Sequence, residues 1–159
     1  MLIKLIADGT LIPIVLIGIY ALVAKVPAGN KYAAYSRVLM AGLTALLVAK
    51  LMANVYQPET LRPFELLGVP PGAAFLPNPG FPSDHALLAT AITLAVWFET
   101  KSKPLTITLL ILLVLLGVGR VLALVHTPVD IIGGVVAACV GGLWYLNEKP
   151  LSKSSKRSK

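Results

Sequence analysis

Residues 105–146 read "LTITLLILLVLLGVGRVLALVHTPVDIIGGVVAACVGGLWYL". Two uncharged stretches, 105–119 and 131–146, enclose a segment that carries Arg120, His126 and Asp130. A membrane-crossing helix needs roughly 20 mostly apolar residues. Each stretch, with a few neighbours, therefore reads as a span. The arginine, the histidine and the aspartate then fall where one span ends and the next begins.

Three more apolar runs lie upstream: "TLIPIVLIGIYALVAKV" at 10–26, "VLMAGLTALLVAKLMANVY" at 38–56 and "ALLATAITLAVWF" at 86–98. The 159 residues are 57% hydrophobic and 13% charged, against about 25% charged in a soluble domain. These features predict an all-α, polytopic membrane bundle of about five transmembrane helices, with one domain over 1–148 and a basic tail over 149–159. The first run follows Lys4, but Asp8, Gly9 and Pro13 interrupt it, so it reads as a span and not as a cleaved leader. The single cysteine, Cys139, sits in the last run and reads as a small packing residue.

Five spans put the loops near 26–36 and 99–104 and the C-terminal tail on one side. That side holds ten of the fourteen Lys and Arg residues; Lys4, Lys50, Arg62 and Arg120 are the other four. Positive charge accumulates on the cytoplasmic side. The expected arrangement is thus an integral protein of the cytoplasmic membrane with its C-terminus inside. The tail "EKPLSKSSKRSK" reads as disordered charge that sets topology and meets anionic headgroups, with no nucleic-acid role.

The opposite, outer side collects the chemistry. Both histidines, His85 and His126, belong there, together with Asp84, Asp130, Lys50, Arg62 and Arg120. Ionisable groups at membrane depth are rare and usually functional. In "FPSDHALLAT" Ser83 is a natural N-cap, with Asp84 and His85 in the first turn; in "VHTPVDIIGG" Thr127 is the N-cap and Pro128 the first helical residue. Two helix N-termini with their unpaired N–H groups, plus nearby cations, favour an anion such as phosphate. His126 and Asp130 are four apart, so the carboxylate can orient the imidazole and free its other nitrogen as nucleophile or base. His85 can supply a proton to a leaving oxygen. A zinc site built from His85, His126, Asp84 and Asp130 is the competing reading, but three cations at the same place oppose it.

At these residues the chain resembles the type-2 phosphatidic acid phosphatase superfamily of membrane lipid phosphatases. The family motifs are Lys-x6-Arg-Pro, Pro-Ser-Gly-His and Ser-Arg-x5-His-x3-Asp. The third stands here as Gly119-Arg120-x5-His126-x3-Asp130, the second as "PSDH" at 82–85, and the first only as "RPF" at 62–64, with eleven residues instead of six between Lys50 and Arg62. The resemblance implies that His126 is the nucleophile, that Asp130 orients it and that His85 protonates the leaving group. It implies that Arg62, Arg120, Ser83, Lys50 and the backbone near Asp84 bind the phosphoryl oxygens, and that neither metal nor cofactor is needed. Gly119 stands where the family has serine, and Asp84 where it has glycine. Five spans is one fewer than the family's usual six.

"FPSDH" and "RPF" are similar to the bacterial subgroup that hydrolyses undecaprenyl diphosphate. The expected function is hydrolysis of that lipid to its monophosphate, with phosphatidylglycerol phosphate or phosphatidic acid as alternative substrates. A membrane protein that binds anions or lipid phosphates without turnover is the alternative of another class. The Pro- and Gly-rich segment 57–82 reads as an ordered outer loop over the site. Its Leu66, Leu67, Val69, Phe75 and Leu76 either meet the headgroup zone or pack on the bundle.

Overall fold

The structure is a computed structural model that describes residues 2–56, 62–78 and 80–147. The tail expected to be disordered, and parts of the 57–82 loop, lie outside these residues. Among the described residues every regular element is helical. The chain runs α1 (Leu2–Lys4), a π-helical turn (Leu5–Gly9), α2 (Leu11–Ala24), α3 (Lys31–Val55), the short α4 (Pro63–Leu66), α5 (Asp84–Thr100), α6 (Lys103–Leu122) and α7 (Pro128–Gly141). A 3-10 stretch, Gly142–Asn147, extends α7.

Among the described residues four helical segments are long and apolar enough to cross a membrane: Leu2–Ala24, Ala28–Val55, Lys103–Leu122 and Pro128–Leu146. Large apolar side chains point outward along all four, among them Leu16 and Val23, Leu43 and Leu47, Ile111 and Val114, and Ile132 and Val136. That arrangement suits lipid and would be costly in water. The fifth expected run forms α5, which has only 17 residues and packs against α2, α3, α6 and α7. Protein surrounds much of α5, so it tolerates polar groups that lipid would reject, including the buried Thr90, Thr93 and Glu99.

Without a hydrophobic drive between helices in lipid, close approach depends on small side chains. The α3 face toward α7 is a stripe of alanines at four-residue spacing.

 Ala41, Ala45 and Ala49 are all buried there, and α7 answers with Gly133, Gly134, Ala137, Ala138 and Gly141. A Cβ on Gly141 would lie 2.3 Å from the Ala41 carbonyl oxygen, and one on Gly134 would lie 2.4 Å from that of Ser83. Gly133 makes the same allowance for the Phe81 ring. The "IIGG" that opens α7 therefore lets the start of α5 sit directly against it.

An arginine–carboxylate pair stands at each end of the bundle. At the end where α5 stops, Arg37 donates from Nε and Nη2 to both carboxylate oxygens of Glu99, at 2.7 and 2.6 Å, beside the stacked rings of Phe98 and Tyr145. At the other end Arg120 donates to Asp8 across 112 residues of sequence. The loop, the N-termini of α5 and α7 and the C-terminus of α6 all meet at this second end.

Candidate active site

The site begins with two capped helix starts. Ser83 is fully buried and its hydroxyl accepts from Ala86 N–H at 3.5 Å, the N-cap of α5. Thr127 caps α7: its hydroxyl accepts from Asp130 N–H at 3.3 Å, while its own N–H donates to Asp130 Oδ2 at 2.7 Å. Pro128 occupies the first turn, where its missing N–H has no cost. Ser83 N–H then donates to the Asp130 carbonyl at 2.9 Å, which ties one helix start to the other.

His126 is buried, and its Nδ1 lies 3.5 Å from Asp130 Oδ2. That contact is too loose for a hydrogen bond, and among the described residues Nδ1 has no hydrogen-bond partner. Burial, the largest influence, holds the imidazole below its ordinary pKa of 6.5; Asp130 pulls it back up, and Arg120 and Arg62 push it down again. A neutral ring with its Nδ1 proton turned toward a carboxylate leaves the Nε2 lone pair free.

Arg120 is 1% exposed at the end of α6. Its Nη1 donates to Asp8 Oδ1 at 2.9 Å, and its Nε is buried without a partner. Buried donors are almost always satisfied, so an unpaired guanidinium N–H beside a pocket points to an anionic ligand. Arg62 is used differently. Its Nη1 donates to the Val125 carbonyl, and its Nη2 to the carbonyls of Leu76 and Asn78 and to Asn78 Oδ1. Its guanidinium also stacks over the Phe75 ring. Arg62 thus latches the loop to the turn before α7, and Phe64 N–H and Gly72 N–H reinforce the latch on the carbonyls of Leu124 and Ala123. Gly80, at φ +88°, passes so close that a Cβ would lie 3.3 Å from the Arg62 guanidinium carbon.

These elements enclose one small pocket, whose lining includes His85, His126, Arg62, Arg120, Asp84 and Asn78. Five of the eight residues singled out from sequence therefore share a single wall. Two others stand behind it: Ser83 caps α5, and Asp130 backs His126. Lys50 does not join them. The helix α3 runs on to Val55 and buries Ala49, which turns Lys50 outward into an exposed position away from the pocket. Asp84 is exposed at the rim, so its charge is screened by solvent and not sealed against the arginines. Of the loop's apolar residues, Leu66, Leu67, Val69, Phe75 and Leu76 are exposed, whereas Phe64 and Ala73 are the ones that pack inward. Among the described residues, no three His, Cys, Asp or Glu side chains cluster as a metal site requires.

Two contacts escaped the sequence reading: Asn78 braces Arg62, and Asp8 holds Arg120. Gly119, known from sequence only as the replacement of the family's serine, faces the N-terminal turn. A Cβ on Gly119 would lie 2.8 Å from Ile6 Cγ2 and 3.0 Å from the Ala7 nitrogen. The space a serine would need is therefore filled by the Ile6 side chain and the Ala7 backbone. Only the interruption of the first apolar run by Asp8 signalled any of this in sequence.

A family model describing the PAP2 superfamily matches residues 32–150, and the chain belongs to that family. Members of that superfamily are phosphatases, and membership suggests a phosphatase of lipid-phosphate type. No curated protein and no solved structure matches the chain significantly. The matched stretch contains all eight candidate residues and leaves out Asp8.

Proposed function

We propose that the protein is a membrane lipid phosphatase that converts a polyprenyl diphosphate, undecaprenyl diphosphate in type, to the monophosphate through a phosphohistidine. The observation that carries this reading is the convergence of His126, His85 and Arg120, from three separate elements, on one pocket, with Asp130 behind His126. In the first step His126 Nε2 attacks the terminal phosphorus. The bond from phosphorus to the bridging oxygen breaks, and that oxygen takes a proton from His85. In the second step water attacks the phosphohistidine while His85 takes its proton. The P–N bond breaks, and inorganic phosphate leaves with His126 restored. Arg120 stabilises charge on the transferring oxygens, since such transfer depends mainly on positioning and electrostatics. Arg62 contributes positive charge and shape while its terminal nitrogens hold the loop.

A lipid substrate is supported by the groove between α6 and α7. It is lined wholly by apolar residues, from Leu113 and Val135 at one end to Leu122 and Pro128 at the other. Pro128 lies two residues from His126, so a chain in this groove would begin beside the pocket. The preference for a polyprenyl diphosphate rests on the resemblance of "FPSDH" and "RPF" to that subgroup. By the charge asymmetry of the loops, the site faces outward across the cytoplasmic membrane and the C-terminus lies inside; α5 would then be the fifth crossing.

The test is phosphate release by purified protein in detergent from undecaprenyl diphosphate, phosphatidylglycerol phosphate and phosphatidic acid, with a chelator present. Fastest release from the diphosphate, blocked by vanadate, is expected. Faster release from either phospholipid would move the substrate assignment. Phosphate binding with no turnover would leave an anion-binding protein, and full activity in His126→Ala would end the phosphohistidine route.

A further inference from the structure

Asp8 is an acidic residue in the first membrane-crossing segment, Leu2–Ala24, and nothing in the catalytic scheme above uses it. Carboxylates in such segments are rare and tend to have a partner and a task. Here both oxygens are engaged: Oδ1 accepts from Arg120 Nη1 at 2.9 Å, and Oδ2 accepts from Ala74 N–H at 3.0 Å. Asp8 therefore joins the N-terminal segment, the loop and the last turn of α6. The local structure is built for this. The π-helical turn Leu5–Gly9 interrupts the regular α-helix, and such turns often mark functional positions. Gly119 has no side chain, so Ile6 and Ala7 come within contact of its backbone and set Asp8 beside Arg120.

The consequence lies in the donors that remain. A guanidinium offers five N–H groups in a rigid plane. Asp8 takes one at Nη1 and fixes that plane, while Nε stays buried and unpartnered. We propose that Asp8 is a positioning residue: it holds Arg120 from behind so that its remaining donors face the phosphate, and Gly119 is the seat that admits it. This rests on the reading of the pocket as a phosphoryl site. It also gives Gly119 a role of its own, since glycine there exchanges a hydroxyl for a carboxylate anchor supplied by another helix.

The experiment is a double-mutant cycle on the full-length protein in detergent, combining Asp8→Asn and Gly119→Ala with Arg120→Lys. Two readouts are taken: affinity for inorganic phosphate by calorimetric titration, and kcat/KM on the lipid substrate. Asp8→Asn keeps the size and an acceptor but removes the charge and the grip on Ala74. It should weaken phosphate binding and kcat/KM each by roughly tenfold, the scale expected when an oxyanion donor is misaligned. Gly119→Ala displaces Ile6 and Ala7 without altering any charge and should reproduce the loss, which keeps the test alive if the Asp8 variant does not fold. In the Arg120→Lys background both changes should have less than about twofold effect, because their influence passes through that guanidinium. Unchanged affinity in both single variants, or an equal loss in the Arg120→Lys background, would overturn the proposal. Tighter phosphate binding in Asp8→Asn would also overturn it, since Asp8 would then be a competitor for the arginine. Wild-type protein that binds phosphate without turnover would fail the phosphatase reading, while the cycle on phosphate affinity still decides Asp8. Wild-type protein that neither binds nor turns over would end both.

Discussion

The two arginine–carboxylate pairs at opposite ends of the bundle are alike in residue type and opposite in design. Arg37 and Glu99 meet as fork on fork, with two short hydrogen bonds that use both carboxylate oxygens. Arg120 and Asp8 meet through a single hydrogen bond, and the guanidinium keeps a buried donor without a partner. The first pair is closed, since each charge satisfies the other and the result fastens α3 to α5. The second leaves a buried donor unmatched on an arginine that lines the pocket. A fold that leaves a buried arginine donor unpaired carries a cost, and that cost makes sense where an anionic substrate completes the pair. The difference separates a clamp from a site more sharply than charge or depth does, because both pairs lie within helices of a membrane bundle.

The largest effect should come from the nucleophile. His126→Ala is expected to lower kcat by roughly a thousandfold or more, as loss of a covalent nucleophile does elsewhere. No 32P-labelled protein intermediate should survive an alkaline quench in that variant, whereas wild type should show one. Retention of label would break the assignment of the open end as the chemical one.

The same conservative change at each end then tests the comparison directly. Lysine has one point charge and cannot serve two partners in a fixed plane. Arg120→Lys keeps the charge but loses the fixed plane of donors that phosphate needs, so kcat/KM should fall by about a hundredfold with little change in thermal midpoint. Arg37→Lys should keep most of its pairing with Glu99 and leave kcat/KM within about twofold. Equal kinetic losses from the two changes would erase the distinction between clamp and site. Arg37→Met sharpens the other side. Glu99 has a side chain only 3% exposed and would be left unpaired, which should cost about 3 kcal/mol of stability. The thermal midpoint should drop while kcat/KM per folded molecule holds.

How much of this could be read from the sequence follows from the distance over which each contact acts. The four-residue step from His126 to Asp130, the caps Ser83 and Thr127 and the apolar runs are local, and the helices form where those signals stand. The role of Arg120 was legible as a charge at a span end, but its partner Asp8 is 112 residues away and is chosen by packing at Gly119. Arg62 illustrates a different limit. Its position near the pocket followed from the motif, yet most of its hydrogen bonds go to backbone carbonyls, which carry no residue signature in sequence. Lys50 failed for a geometric reason: one position along a helix rotates a side chain by about 100°, and Ala49 holds the inward place.

The smallest effect concerns acid, and it depends on the open end being dry. Burial is the main cause that lowers the His126 pKa, and the two arginines add to it. His126 must be neutral to attack, so the acid limb of kcat/KM should lie below pH 6.5, with activity lost as pH falls through the folded-state pKa. The linkage has the same sign for stability. Below the ordinary pKa of 6.5 the unfolded chain binds the proton more readily than the folded one, so this group's contribution falls as pH drops. Asp130 acts in the opposite direction and raises the pKa. Asp130→Asn should therefore move the acid limb further down while also lowering the maximal rate, because the ring loses its orienting carboxylate. A pH profile of kcat/KM for wild type and Asp130→Asn, taken from pH 4.5 to 8, reads both (roughly the range over which a buried histidine titrates). A limb above pH 6.5 would mean that Asp130 outweighs burial, and an upward move in the variant would mean that the 3.5 Å contact is not the one that tunes the ring.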